Sequence, residues 1–346
     1  MRKVVFYFNI IKRSGSEIAL LRYFKNNKFN DNNILVYSDK KETDMSMIEE
    51  YSEYVQVKCI DKDEKMKVSV AVNCSIYDVD EELFEHFDAE KYVFWAQVNP
   101  NNMEILEDKT KLEKYDVFLA TSKYIKEALI AKNEYTKGKI FLANPIVDSQ
   151  EIIEKSKEHN ELMDKKDFNI ITIARYTPSK GQQYNIEIAN LLKQMGVKFK
   201  WYNFGFSHSS KLDFYREIQA KIKKYNLEDE YILKSNCKNP YKYLKDADLN
   251  VLFSKDEAWG LVITEAKVLG VPNIASNNSA IKEQIEDDVN GYLIDIPKNK
   301  EDILTIANKI KYIYENTEKM NNLKKNLEGY TQNTLEIVDN MNKCWE

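Results

Sequence analysis

Short runs dense in Val, Ile, Phe and Tyr recur along this chain, most followed by a longer amphipathic or polar stretch, and that alternation leaves few folds open. KVVFYFNI (3–10), NILVYS (33–38), KVSVAVNCSIY (67–77), KYVFWAQV (91–98), DVFLATS (116–122) and KIFLAN (139–144) set the pattern. After a charged, weakly patterned segment, DSQEIIEKSKEHNELMDKKDF (148–168), the runs NIITIAR, KFKWYNFG, YILKS, LNVLFS, PNIAS and YLIDI repeat it. Strands alternating with helices predict parallel sheets covered by helices. At 346 residues the chain exceeds one hydrophobic core and suits two domains of roughly 150 residues each. The expected boundaries are 1–155 for a first α/β domain and 156–330 for a second. Residues 331–346, TQNTLEIVDNMNKCWE, read as a last amphipathic helix with no strand after it, which must dock on something already built.

Composition narrows the class. With 43% hydrophobic and 31% charged residues there is enough apolar material to fold and enough charge for solubility. No run approaches the roughly 20 apolar residues that cross a bilayer. The opening MRKVVFYFNIIKRSG reads as a buried first strand and not as a signal peptide, because charge returns at Lys12 and no small-residue cleavage site follows. A net charge of -5 argues against wholesale nucleic-acid binding. Cys59, Cys74, Cys237 and Cys344 are far apart and form no Cys-x-x-Cys pair, so neither a zinc site nor a disulfide framework is expected, and a cytoplasmic location follows.

The chemistry concentrates in KDEAWGLVITEAKVLGVP (255–272). If a helix starts at Gly260, Glu257 lies in the loop before it and Glu265 projects from its second turn. The helix N-terminus then points free backbone N–H groups at the space between two carboxylates, a ready anion site that no side chain on Gly260 blocks. A phosphate there would leave each carboxylate to accept hydroxyl hydrogen bonds from a sugar or ribose. A second element, IARYTPSKGQQYNIEIANLL, places Arg175 at the end of an apolar strand and Lys180 in the loop before a helix that stops near Gly196. Ligands bind at the C-terminal ends of strands in open α/β sheets, so Arg175, Lys180 and the helix end at Gly260 would together hold a diphosphate without a metal.

RYTPSKG (175–181), KDEAWGLVITEAKVLGVP and NNSAIKEQIEDDVNGYLI (277–294) resemble, in order and spacing, the donor domain of retaining glycosyltransferases of family four. The resemblance covers most of 168–296 and extends more weakly to YDVFLATSKYIKEALI and KIFLANPIVD. It implies the GT-B fold: two Rossmann-like domains facing each other across a cleft, with the C-terminal helix crossing back to the first. It further implies that Arg175 and Lys180 hold the leaving diphosphate, that Glu265 binds the nucleotide ribose, and that Glu257 faces the donor sugar. The backbone of Gly260, Leu261 and Val262 would meet phosphate or sugar oxygens. Gly205, at the end of KFKWYNFG, is expected near the nucleotide, and Gly15 in RSGSE is a partial counterpart of the family's glycine-rich first loop. Where the family commonly has a histidine close to the donor sugar, the best-placed residue is Gln97, which would hydrogen-bond a sugar hydroxyl but cannot serve as acid or base.

The implied reaction moves a sugar from a nucleotide diphosphate sugar, with a UDP-sugar expected, to an acceptor hydroxyl with retention. The expected partners are that donor and a carbohydrate or lipid-linked acceptor, with peripheral association at the inner membrane face. No cofactor or metal is expected. Surface-polysaccharide assembly is the expected setting. Two other classes fit less well: a partner subunit that kept the fold and lost the activity, suggested by Gln97 and the thin first loop, and an epimerase of the same fold, for which acid-base residues are lacking. Asp78-x-Asp80 matches a metal-holding pattern of another glycosyltransferase fold, but Asp80 is better read as a helix cap before Glu81 and Glu82. His86 and His159 are expected at the surface, and His208 near the nucleotide. Lys12 and Arg13 are either solvated charges or contacts for an anionic acceptor.

Overall fold

The computed structural model describes residues 2–27, 32–74, 81–98, 108–164, 166–206, 212–234 and 237–345. It divides into two units, one holding the chain up to Asp148 together with everything from Asn333 on, the other holding Ser149–Gln332.

The first unit is built on a seven-stranded, wholly parallel sheet. Its strands are β1 (Val4–Phe8), β2 (Asn33–Tyr37), β3 (Gln56–Cys59), β4 (Met66–Asn73), β5 (Phe87–Ala96), β6 (Val117–Ala120) and β7 (Ile140–Leu142), in the order β3-β2-β1-β4-β5-β6-β7. β1 and β2 are buried at every position, as strands covered by helices on both faces must be. Val4 of β1 pairs with Asn33 on one side and Val70 on the other. The helices are α1 (Gly15–Asn26), α2 (Met45–Ser52), α3 (Glu81–His86), α4 (Lys109–Leu112) and α5 (Lys123–Lys132). β3 has no counterpart among the apolar runs, because QVKC is a short edge strand with one neighbour and no fully buried position.

In the second unit come α6 (Ser149–Ser156), β8 (Phe168–Ile173), α7 (Gln182–Gln194), β9 (Phe199–Phe204), α8 (Leu212–Lys224), β10 (Tyr231–Lys234), α9 (Tyr241–Leu244), β11 (Leu249–Leu252), α10 (Leu261–Val268), β12 (Asn273–Ser276), β13 (Gly291–Ile294), α11 (Lys300–Glu315) and α12 (Thr317–Lys325). Its six strands are parallel in the order β10-β9-β8-β11-β12-β13. They are the six apolar runs of the second half. On α7 the periodic positions Ile186, Ile188, Ala189 and Leu192 are buried, while Tyr184 and Leu191 pack at the rim of the same core.

The last helix, α13 (Thr334–Trp345), belongs to the first unit. Its Trp345 packs edge-on against Phe6 of β1 at 5.2 Å between ring centroids, and Phe6 meets Phe24 of α1 at 5.1 Å. The Trp345 indole N–H donates to the Tyr23 hydroxyl at 3.0 Å. The division between units differs from the expected one at both ends. The first falls after Asp148 and not after residue 155, because α6 buries Ile152 and packs on α9 and α10. The second falls after Gln332 and not after residue 330.

Among the described residues no helix is long and apolar enough to cross a membrane.

Candidate functional site

In each sheet the strand order reverses beside its first strand, at β1/β4 and at β8/β11. Loops leaving the C-terminal ends of such a pair diverge and open a crevice, the place where open α/β sheets take ligands. In the second unit the loop after β8 carries Arg175 and Lys180, and the loop after β11 carries Glu257 and leads into α10.

The two loops are tied together. After β8 the chain makes a single 3-10 turn, Pro178–Lys180, and turns into α7 through Gly181 at φ 79°. A Cβ at Gly181 would lie 2.4 Å from the Phe253 carbonyl oxygen, so only glycine lets this turn rest on the end of β11. The Lys255 N–H donates to the Ser179 carbonyl at 2.8 Å. Gln182, fully buried at the start of α7, donates from Nε2 to the Arg175 carbonyl at 2.7 Å. The Tyr176 hydroxyl donates to the Asn203 carbonyl at 2.7 Å. The Arg175 backbone is thereby held between two anchored neighbours while its side chain stays exposed.

Lys180 and Glu257, 77 positions apart, meet: Lys180 Nζ lies 2.5 Å from Glu257 Oε1. The Ser254 hydroxyl donates to the same oxygen at 2.8 Å, and the Glu257 N–H donates to Ser279 Oγ at 3.1 Å. Gly260 follows at φ 87° as the N-cap of α10, with no side-chain cap. The first amides of the helix, at Leu261 and Val262, thus have no intrahelical acceptor. Gln284, in the segment after β12, fastens this turn: its Nε2 donates to the Trp259 carbonyl, and its Oε1 accepts from Thr264 Oγ1 at 2.6 Å. The Trp259 indole N–H in turn donates to Thr264 Oγ1 at 3.1 Å. Lys267, one turn on, is buried, donates to the Gln284 carbonyl at 2.7 Å, and has its pKa pulled down to about 8 by burial.

Glu265 is buried on α10 and accepts a hydrogen bond from the Tyr241 hydroxyl at 3.0 Å. Tyr241 was not singled out from sequence, because nothing in NPYKYL distinguishes its ring from an ordinary core tyrosine. Gly205 closes β9, where a Cβ would lie 2.1 Å from the Ala174 carbonyl oxygen. Close packing against the chain leaving β8 therefore accounts for a glycine there. The structure thus brings Lys180 and Glu257 together beside the uncapped start of α10, an ammonium and free helix amides suited to an anionic group, while Arg175 stands exposed on the loop after β8 and Glu265 is bound to Tyr241 further along α10.

The remaining expected residues lie in the first unit. Gly15 opens α1, and the Glu17 carboxylate already occupies that helix end, accepting from the Lys12 N–H at 3.3 Å, from Ser16 Oγ at 2.6 Å and from Ser14 Oγ. A buried carboxylate so placed disfavours a second anion at Gly15. Lys12 pairs with Glu42 at 3.7 Å and Arg13 with Glu50. Gln97 follows the end of β5, and its Nε2 is buried without a hydrogen-bond partner among the described residues. His86 is not at the surface as expected: α3 runs directly into β5, which packs the imidazole near the Tyr7 and Phe87 rings with Nδ1 2.9 Å from the Glu64 carbonyl oxygen. Asp78, Asp80 and His208 lie outside the described residues. Among the described residues no group of three or more His, Cys, Asp or Glu side chains gathers as a metal site.

Residues 153–329, just over half of the chain, match the sequence profile of the family described as glycosyl transferases group 1. The chain belongs to this family. It is similar to a Klebsiella pneumoniae protein described as an uncharacterized 41.2 kDa protein in the cps region, 30% identical over 181 residues, 52% of this chain and 48% of that one. It is also similar to the putative colanic acid biosynthesis glycosyltransferase WcaL of Escherichia coli K12, 31% identical over 140 residues, 38% of this chain and 32% of that one. The matches thus span about half or less of these relatives' length. Among solved structures, Anabaena Alr3699/HepE in complex with UDP and glucose superposes with a TM-score of 0.78 at 17% identity, covering 99% of both chains. The lipopolysaccharide outer core galactosyltransferase WaaB gives 0.67 at 15% identity, covering 99% of this chain and 98% of that one. At such identities the likeness is one of fold. Both sheets of this group 1 transferase are those of the Rossmann-like domains of the GT-B fold.

Proposed function

We propose that the protein transfers a sugar from a nucleotide diphosphate sugar, a UDP-sugar in the first instance, to the hydroxyl of a carbohydrate or lipid-linked acceptor with retention of configuration. The observation that carries this reading is the meeting of Lys180 with Glu257 beside the uncapped start of α10, inside the segment that matches the family. Arg175, Lys180 and the amides of Leu261 and Val262 would bind the diphosphate, Glu257 a sugar hydroxyl and Glu265 the ribose. HepE, which shares the fold, was solved with UDP and with UDP-glucose, which favours a uridine donor here.

In this reading the glycosidic C–O bond to the diphosphate breaks on the face where the acceptor oxygen attaches. The departing phosphate oxygen takes the acceptor's proton, and Arg175, Lys180 and the helix end stabilise the charge that develops on it. Those cations and amides make a divalent ion unnecessary. Relatives named for colanic acid and amylovoran biosynthesis, and one named for a cps region, support a role in polysaccharide assembly.

The test is a thermal-shift panel of nucleotide sugars followed by a UDP-release assay, with the anomer of the product read by NMR. Stabilisation by UDP-sugars, release of UDP and a retained anomer are expected. Absence of both stabilisation and release across the panel would remove the enzymatic reading, and an inverted anomer would remove the retaining one.

A further inference from the structure

The hydrogen bond from Tyr241 to Glu265 joins two elements that are consecutive neither in the chain nor in the sheet. Tyr241 opens α9, which follows β10 at the edge, whereas Glu265 sits on α10 between β11 and β12. Both side chains are 9% exposed, so the bond is shielded from competing water. A one-turn helix would ordinarily be a loose support for such a contact, but α9 is fastened on three sides. The Tyr241 N–H donates to Asn239 Oδ1 at 3.1 Å, and Asn239 Nδ2 donates to the Lys155 carbonyl of α6 at 2.7 Å. The Tyr243 ring stacks on Phe204 at 4.7 Å with the planes 22° apart. The Tyr243 hydroxyl and Lys242 Nζ both donate to the Glu161 carboxylate, at 2.6 and 2.9 Å, and these contacts hold that carboxyl down at about 2.

We infer that Tyr241 is a positioning residue that sets the plane of the Glu265 carboxylate for the vicinal hydroxyls of a nucleotide ribose. The inference rests on the proposed reading of Glu265 as the ribose acceptor. A carboxylate at the end of a glutamate side chain turns about its last torsion through a broad, nearly two-fold well, and recognition of two adjacent hydroxyls needs one orientation of it. A phenol held rigidly at one oxygen selects that orientation before the ligand arrives, which lowers the ordering cost on binding. Tyr241 touches no reacting atom in this arrangement.

The experiment measures calorimetric affinities of UDP and 2′,3′-dideoxy-UDP for the unaltered protein, Tyr241→Phe and Glu265→Gln. Tyr241→Phe is expected to weaken UDP binding by about 5- to 10-fold while leaving the dideoxy compound within about 2-fold, since that ligand lacks the hydroxyls whose alignment is at stake. Comparing two ligands on one folded variant cancels any change in overall stability. An equal loss for both ligands would make Tyr241 a support of the fold and overturn the inference. So would unchanged UDP affinity in Tyr241→Phe alongside a loss in Glu265→Gln. If the unaltered protein fails to bind UDP or to prefer it over the dideoxy form, or if Glu265→Gln binds UDP normally, the reading of Glu265 itself fails and takes this inference with it.

Discussion

Lys180 Nζ sits 2.5 Å from Glu257 Oε1, with the two side chains only 16% and 15% exposed, so the proposed phosphate ligand and the proposed sugar ligand hold each other. An incoming diphosphate would have to share or take that ammonium. Glu257→Gln should therefore keep or tighten UDP affinity, because Lys180 is released from its carboxylate, and should slow sugar transfer because the sugar loses a charged acceptor. Calorimetry with UDP and turnover with a UDP-sugar separate the two effects. A parallel loss of binding and transfer would show that the pair acts as one phosphate-binding unit.

The charge on the leaving group is assigned to protein cations. Arg175→Ala and Lys180→Ala should each cut transfer by about 100-fold or more if their contacts strengthen as charge develops, while a chelator leaves the rate intact. Loss of activity on chelation, restored by Mn²⁺ or Mg²⁺ and accompanied by active cation variants, would move the assignment to a metal.

Gly181 and Gly196 have nearly the same backbone, φ 79° and 77°, but a Cβ at Gly196 meets nothing within 4 Å whereas one at Gly181 meets the Phe253 carbonyl oxygen at 2.4 Å. Gly196→Ala should cost about 1 kcal/mol from conformation alone. Gly181→Ala adds a clash between two backbone segments, and a total of about 3 kcal/mol is the expected order. It should also weaken UDP binding by displacing Lys180. Equal shifts in the urea midpoint would mean that the close approach contributes nothing.

Lys267 supplies a pH signature. Its folded pKa of about 8 lies below the unfolded value near 10.4, so between these values the unfolded chain holds a proton that the folded one lacks. Stability from this group must rise with pH across that window, and below it the folded state carries a buried charge. Relative to Lys267→Met, the unaltered protein should gain on the order of 1–2 kcal/mol between pH 7.5 and 9.5 in urea titrations. Parallel pH profiles would sink the assignment.

Much of the second unit was legible because its signals are local. Six apolar runs became six strands, and Gly260 marked the start of α10 since an uncapped helix entered through a left-handed residue leaves that trace in sequence. The pairing of Lys180 with Glu257 was not legible, because strand order alone brings residues 77 positions apart to one place. Glu265 was read as a ligand without its tyrosine, since a phenol two elements away has no periodic signature. β3 escaped because an edge strand needs little apolar surface. His86 was misplaced because helix periodicity is uninformative in a six-residue helix that becomes a strand at the next residue.

The return of α13 to the first sheet has a consequence for synthesis on the ribosome. The Tyr23 hydroxyl and the Trp345 indole that donates to it are 322 positions apart, and the Arg2 guanidinium reaches the Trp345 carbonyl at 3.1 Å. At translation rates of roughly 5–20 residues per second, that separation means a wait on the order of 16–64 s between making the two partners. During it the nascent chain presents Phe6 and Tyr23 without the indole that packs against them. The half that begins first is thus closed last, and Ser149–Gln332, with all of its own strands made by then, can finish folding while its sibling is still waiting for its lid.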